Sequence, residues 1–162
     1  MNLTVLSPSW LAWTFAALLL AAAIEDSIRL RISNLLVVGV LVSALAAMAM
    51  AGLDLALWQN FAVLAGLLAI GTPLFAAGKM GGGDVKLLAA TGLWFDLSGA
   101  LLMLVSVLLA GGFLAFLIII IRLFGWSDAT RERVLLLRRR GGIPYGVAVS
   151  AGALIAAAIL RG

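Results

Sequence analysis

Residues 87–124 make a stretch of 38 positions whose only charges are Asp96 and Arg122. A run of that length and character reads as membrane-spanning. One helix cannot hold it: at about 1.5 Å per residue it would measure roughly 57 Å, against a hydrocarbon core of about 30 Å. The run must therefore break, and Asp96, Ser98 and Gly99 mark the place.

Shorter apolar runs recur on both sides of it. Together they predict six spans, at about 5–24, 35–51, 58–77, 84–95, 97–121 and 143–160. Only 11% of residues are charged, where a soluble domain carries roughly a quarter. The expected architecture is an all-α polytopic membrane protein, one domain over 1–162, with six transmembrane helices and a short or tilted fourth. The segment "MNLTVLSPSWLAW" lacks the basic region of a cleavable signal peptide, so the first span is expected to stay.

The basic residues orient these spans. Arg29 and Arg31 follow the first, Lys79 and Lys86 flank the start of the fourth, and Arg122, Arg131, Arg133 and Arg138, Arg139 and Arg140 follow the fifth. These are ten of the eleven Lys and Arg residues, and six crossings put all ten on one side. The positive-inside rule makes that side cytoplasmic, which leaves both termini extracytoplasmic. The basic loop at about 122–142 includes "GWSDATRERVLLLRRRGG". It is expected either to set the topology or to lie as a short helix at the lipid headgroups. The net charge of +4 thus points to membrane lipids rather than to nucleic acid.

The chain has no cysteine and no histidine. Disulfides, Cys/His zinc sites, thiol nucleophiles and Ser-His pairs are excluded. Any enzymatic chemistry falls to carboxylates, hydroxyls and water, with no metal or cofactor expected.

Seven acids remain to be weighed. Asp54 and Asp96 sit in short connections, Asp128 and Glu132 in the basic loop, and Glu25 beside Asp26 reads as an interfacial charge. Asp26, in "EDSIRLRISN", ends the first span, and Asp84, in "KMGGGDVKLLAA", opens the fourth. The arginines and lysines alone put both on the cytoplasmic side at similar depth. Either residue by itself could be an interfacial cap. Two ionisable groups at membrane depth mark a candidate site. Two carboxylates in reach of each other can share a proton and polarise a water for attack on an amide carbonyl. Gly81, Gly82 and Gly83 would admit an extended backbone close to Asp84. A phosphate loop is excluded, because no G-x-x-x-x-G-K-[ST] pattern is present.

These residues resemble a known family. "GGGD" is similar to the GxGD signature of aspartic intramembrane proteases, and its context "MGGGDVKLLAA" resembles the prepilin peptidases. "DSIRLRISN" resembles their first motif, D-x-x-x-x-R-I-P-N, with Ser33 in place of the proline before Asn34. "GIPYGVAVSAGAL" at 142–154 resembles their last-helix motif. The small size and the lack of a cysteine-rich insertion make the chain similar to the short prepilin peptidases of tight-adherence (Flp) pilus systems.

The resemblance implies an aspartic endopeptidase of the bacterial inner membrane, with Asp26 and Asp84 catalytic. Its substrate would be a type IV-like (Flp) prepilin or pseudopilin, cut at the cytoplasmic face after its basic leader. N-methyltransferase activity is not expected. Lys86, Arg31, Asn34, Pro144 and Tyr145 stand as supporting residues beside the three glycines. The competing class is a small ion-coupled transporter or a pilus-assembly scaffold, since paired membrane aspartates and glycine-rich breaks also make cation sites. Against transport, both acids lie near one face and no inverted repeat is found.

Overall fold

The long apolar run does break, and the break is capped. Helix α5 (Gly82–Gly92) ends, four residues turn, and helix α6 (Leu97–Leu123) begins. Asp96 is the N-cap of α6: its Oδ1 accepts from the Gly99 N–H at 2.8 Å and from Ser98 Oγ at 2.9 Å. A side-chain acceptor satisfies amides that the first helical turn leaves free, so one acid suffices to restart a helix in apolar sequence.

The structure is a computed structural model that describes residues 1–52, 54–124 and 142–162. The remaining helices are α1 (Leu3–Leu6), α2 (Ser9–Arg29), α3 (Asn34–Ala51), α4 (Trp58–Ala76, entered through a 3-10 turn at Leu55–Leu57) and α7 (Tyr145–Arg161). Among the described residues all regular structure is helical. By length and composition α2, α3, α4 with its entering turn, and α6 are long and apolar enough to cross a membrane. Helix α7, of 17 residues, is shorter. The expectation of a headgroup helix or topology-setting loop over 125–142 falls almost wholly outside the described residues.

Large apolar side chains point outward, including Trp13, Leu35, Leu108 and Leu109. In water such a surface would aggregate, whereas lipid tails solvate it.

Helix α5, with 11 residues, is about 16 Å long, half of a hydrocarbon core. It sits inside the bundle, packed against α3, α4 and α7, with Leu87, Ala89, Ala90 and Thr91 buried. Glycine brings α4 and α5 together: a Cβ on Gly71 would lie 2.5 Å from Val85 Cγ1. The close approach of small residues is how helices gain packing where lipid competes equally for apolar surface.

With the short α5 included, successive helices from α2 to α7 run in alternating directions, which sorts the polar residues to two ends. At one end lie Asp26, Asn34, Asp84 and Gly146, linked by contacts given below. At the other end Asn60 Nδ2 donates to the carbonyls of Met1 (2.8 Å) and Leu93 (3.0 Å), and the Leu3 N–H donates to Trp94 O at 3.0 Å. Arg161 closes the same end by donating to the carbonyls of Thr4 and Ser7. Beneath this layer Phe15 stacks on Trp94 with centroids 4.3 Å apart. Trp94 and Asn60 are fully buried there.

Candidate active site

Asp26 lies in the last turn of α2 and is 2% exposed. A buried carboxylate needs donors, and these come from the far end of the sequence. The Gly146 N–H donates to Asp26 Oδ2 at 2.7 Å, and the Val147 amide also faces this carboxylate. Both amides belong to the first turn of α7, whose unsatisfied N–H groups favour an anion. The sequence places Asp26 at a helix C-terminus; packing sets it against a helix N-terminus as well.

Asp84 is half-buried in the first turn of α5. Its carboxylate lies at the backbone of Gly81, the N-cap of α5, and it also faces the Gly146 amide. The charge of Asp26 acts on it directly. The Gly146 amide thus donates to the Asp26 carboxylate and lies towards that of Asp84. A Cβ on Gly146 would lie 2.9 Å from Asp26 Oδ2 and 2.6 Å from Ile32 Cδ1, so the position has room for a hydrogen atom only.

The three glycines before Asp84 have separate reasons. Gly81 has φ −70° and ψ 143°, which any residue adopts, so conformation does not demand glycine there. Space does: a Cβ on Gly81 would lie 2.6 Å from Asp84 Oδ2. A Cβ on Gly82 would press on the Phe75 ring at 3.1 Å, and one on Gly83 would meet Ile32 at 3.2 Å. Gly83 thus brings the "GGGD" segment against the "RISN" segment.

That second segment is held from within. Leu30 ends α2 in the left-handed region, φ 50° and ψ 38°, with its N–H on Asp26 O at 2.8 Å. Such a conformation is uncommon outside glycine and turns the chain sharply. The Ser33 N–H then donates to Glu25 Oε2 at 2.9 Å, while Arg29 pairs with Glu25 at 3.6 Å. Ser33, with φ −69° and ψ 143°, occupies the conformation a proline would impose, yet supplies an N–H that proline lacks. Glu25, expected to be a bare interfacial charge, anchors this turn.

Of the other expected residues, Lys86 Nζ donates to Asn34 Oδ1 at 3.2 Å, a bond that ties α5 to the start of α3. Pro144 is buried as the N-cap of α7, and Tyr145 is 40% exposed beside it. Arg31 is exposed. It lines a cleft of about 350 Å³ between residues 30–32 and 81–84, which leads to Asp84. Among the described residues no three carboxylates gather as they would around a metal ion.

The residues that sequence reasoning passed over are Gly146, Ile32 and Glu25. Gly146 stands in "GIPYG", and a glycine in the first turn of an apolar helix was the available signal. Ile32 stands in the quoted "RISN" of the first motif, whereas nothing local in the sequence marks Glu25 as the anchor of that turn.

Chemically, the arrangement presents one buried and one half-buried carboxylate near the Gly146 amide, beside a cleft of about 350 Å³. No curated protein and no solved structure matches the chain. A family model does match: that of the type IV leader peptidase family, over residues 13–121, a region that contains both Asp26 and Asp84. The match covers about two thirds of the chain, and the chain belongs to the type IV leader peptidase family.

Proposed function

We propose that this protein is a membrane-embedded aspartic endopeptidase that removes the basic leader of type IV-like (Flp) prepilins, with Asp26 and Asp84 activating water. The observation that carries the reading is the meeting of both carboxylates at Gly146, beside a solvent-reaching cleft. In the reaction one carboxylate takes a proton from water as the water oxygen bonds the peptide carbonyl carbon. The other, protonated, gives its proton to the carbonyl oxygen. Collapse of the tetrahedral intermediate breaks the C–N bond, and the amine leaves with a proton returned by the dyad.

The proposed topology has six crossings, with α5 the short fourth and both termini outside the cytoplasm of a bacterial inner membrane. Alternating helix directions support it, as does the position of Arg29, Arg31 and Lys86 at the aspartate end. A basic leader would then reach the cleft from the cytoplasm.

The test is cleavage of a Flp-type prepilin by purified protein in lipid, with Asp26→Asn and Asp84→Asn variants checked for folding. Loss in both variants is expected. Full activity in either removes that aspartate from the chemistry, and a cation flux that needs no prepilin would favour the transporter reading instead.

A further inference from the structure

A second cavity adjoins the Gly81–Asp84 segment, and its chemistry differs from that of the cleft. It is a groove of about 450 Å³ between α4 and α6, floored by α5 and α7. Its lining carries no charged side chain: Leu67 and Leu74 line it from α4, Leu88 from α5, Leu104 and Leu108 from α6. Helices α4 and α6 touch only sparingly, and Ile70 and Leu108 on the two walls are largely exposed, so the groove opens sideways towards lipid.

The groove begins at the candidate site. Met80 lines it and immediately precedes Gly81; Tyr145 lines it and immediately precedes Gly146. From there it extends along α6 from Gly112 to Leu104, about 12 Å or two helical turns. Gly112 has a further peculiarity. A Cβ on it would meet nothing within 4 Å, so no described neighbour requires glycine there, although glycine weakens a helix interior. A glycine on an open membrane-facing wall suits the close approach of another helix backbone.

We infer that this groove seats the apolar segment following the scissile bond of the substrate, which enters sideways from the bilayer between α4 and α6. The inference rests on the leader-peptidase reading. A polypeptide with an extended junction followed by an apolar helix meets two cavities, a polar cleft and an uncharged groove, one on either side of the bond to be cut. The uncharged groove takes the helix, and the cleft beside Arg31 takes the extended leader junction. A lipid tail would also wet the groove, but it has no need of the approach that Gly112 allows.

Because the chain has no cysteine, single cysteines can map the occupant. In an Asp84→Asn background that keeps substrate uncut, Leu74→Cys and Leu108→Cys should each crosslink to a cysteine in the apolar segment of the prepilin. Val42→Cys, on the exposed face of α3, should not. Equal crosslinking at Val42, or crosslinking only to a second copy of this chain, overturns the inference. Independently, Gly112→Leu should lower cleavage of full prepilin by about tenfold or more, the scale of a blocked apolar subsite. It should leave unchanged the cleavage of a soluble junction peptide that lacks the apolar segment. Equal loss on both substrates, or loss on neither, also overturns the groove. If unmodified protein cuts neither substrate, it is the peptidase reading beneath the inference that falls.

Discussion

The two ends of the bundle are built on opposite plans. At the end holding Asn60, Thr4 and Arg161, side chains donate to the backbone carbonyls of Met1, Leu93, Thr4 and Ser7, and the aromatic pair Phe15–Trp94 fills the space below. At the aspartate end, like charges approach each other, Leu30 is held in a left-handed conformation, and glycines keep side chains out of the way. Satisfied buried polar groups rigidify a structure. Strained backbone and crowded acids weaken it and gather where chemistry is done. The satisfied polar groups and the candidate site thus lie at opposite ends of the bundle, so substitutions at the two ends should fail in different assays.

The largest effect should come from the acids. Asp26→Asn and Asp84→Asn are each expected to slow prepilin cleavage by about 10²–10⁴-fold, the range for a lost acid–base group, with the thermal midpoint in detergent unchanged. A midpoint that drops with activity would mean that this end also holds the fold together, and the contrast would break. Next comes Gly146→Ala. The added methyl must push Asp26 or Ile32 aside, and a displacement near 1 Å is worth about 10²-fold in rate. Retained activity would show that the shared amide does not position the pair.

Asn60→Ala reverses the pattern. It leaves the carbonyls of Met1 and Leu93 without their buried donor and should cost about 1–3 kcal/mol of stability, read as a lower unfolding midpoint. Cleavage per folded molecule should not change. The smallest effect is expected from Ser33→Pro, where the backbone angles already suit proline and the losses are the N–H and hydroxyl contacts to Glu25. Activity should stay close to that of the unmodified protein, and a large loss would show that the Glu25 anchor, not the turn itself, sets the first motif.

Much of this was legible before any coordinates. The break at Asp96 and the helices either side of it follow from local hydropathy and charge, which bilayer thickness converts directly into elements, and the same signals offer Asp26 and Asp84 as the candidate pair among seven acids. The ends of α5 fall within three residues of those expected, whereas α2 starts four residues and ends five residues later than the expected span 5–24, after a separate turn of helix at Leu3–Leu6. The reasons for individual residues were less visible. Gly81 reads as a flexible hinge in sequence, yet in the fold its backbone is ordinary and its lack of a Cβ is what counts.

What the sequence by itself determined is thus a set of apolar helices and two candidate acids, each expected near a helix end on the same side. The tertiary structure alone decided that Asp26 meets the amide of a residue 120 positions away. It also decided that Ser33 leans on Glu25, that α5 is walled in by longer helices, and that α4 and α6 part to leave a groove. The physical reason is range. Hydropathy and charge act through the solvent a segment must enter, so each segment reports them alone. A hydrogen bond of 2.7 Å or a missing Cβ depends on how two distant helices are offset, and no local pattern carries that offset.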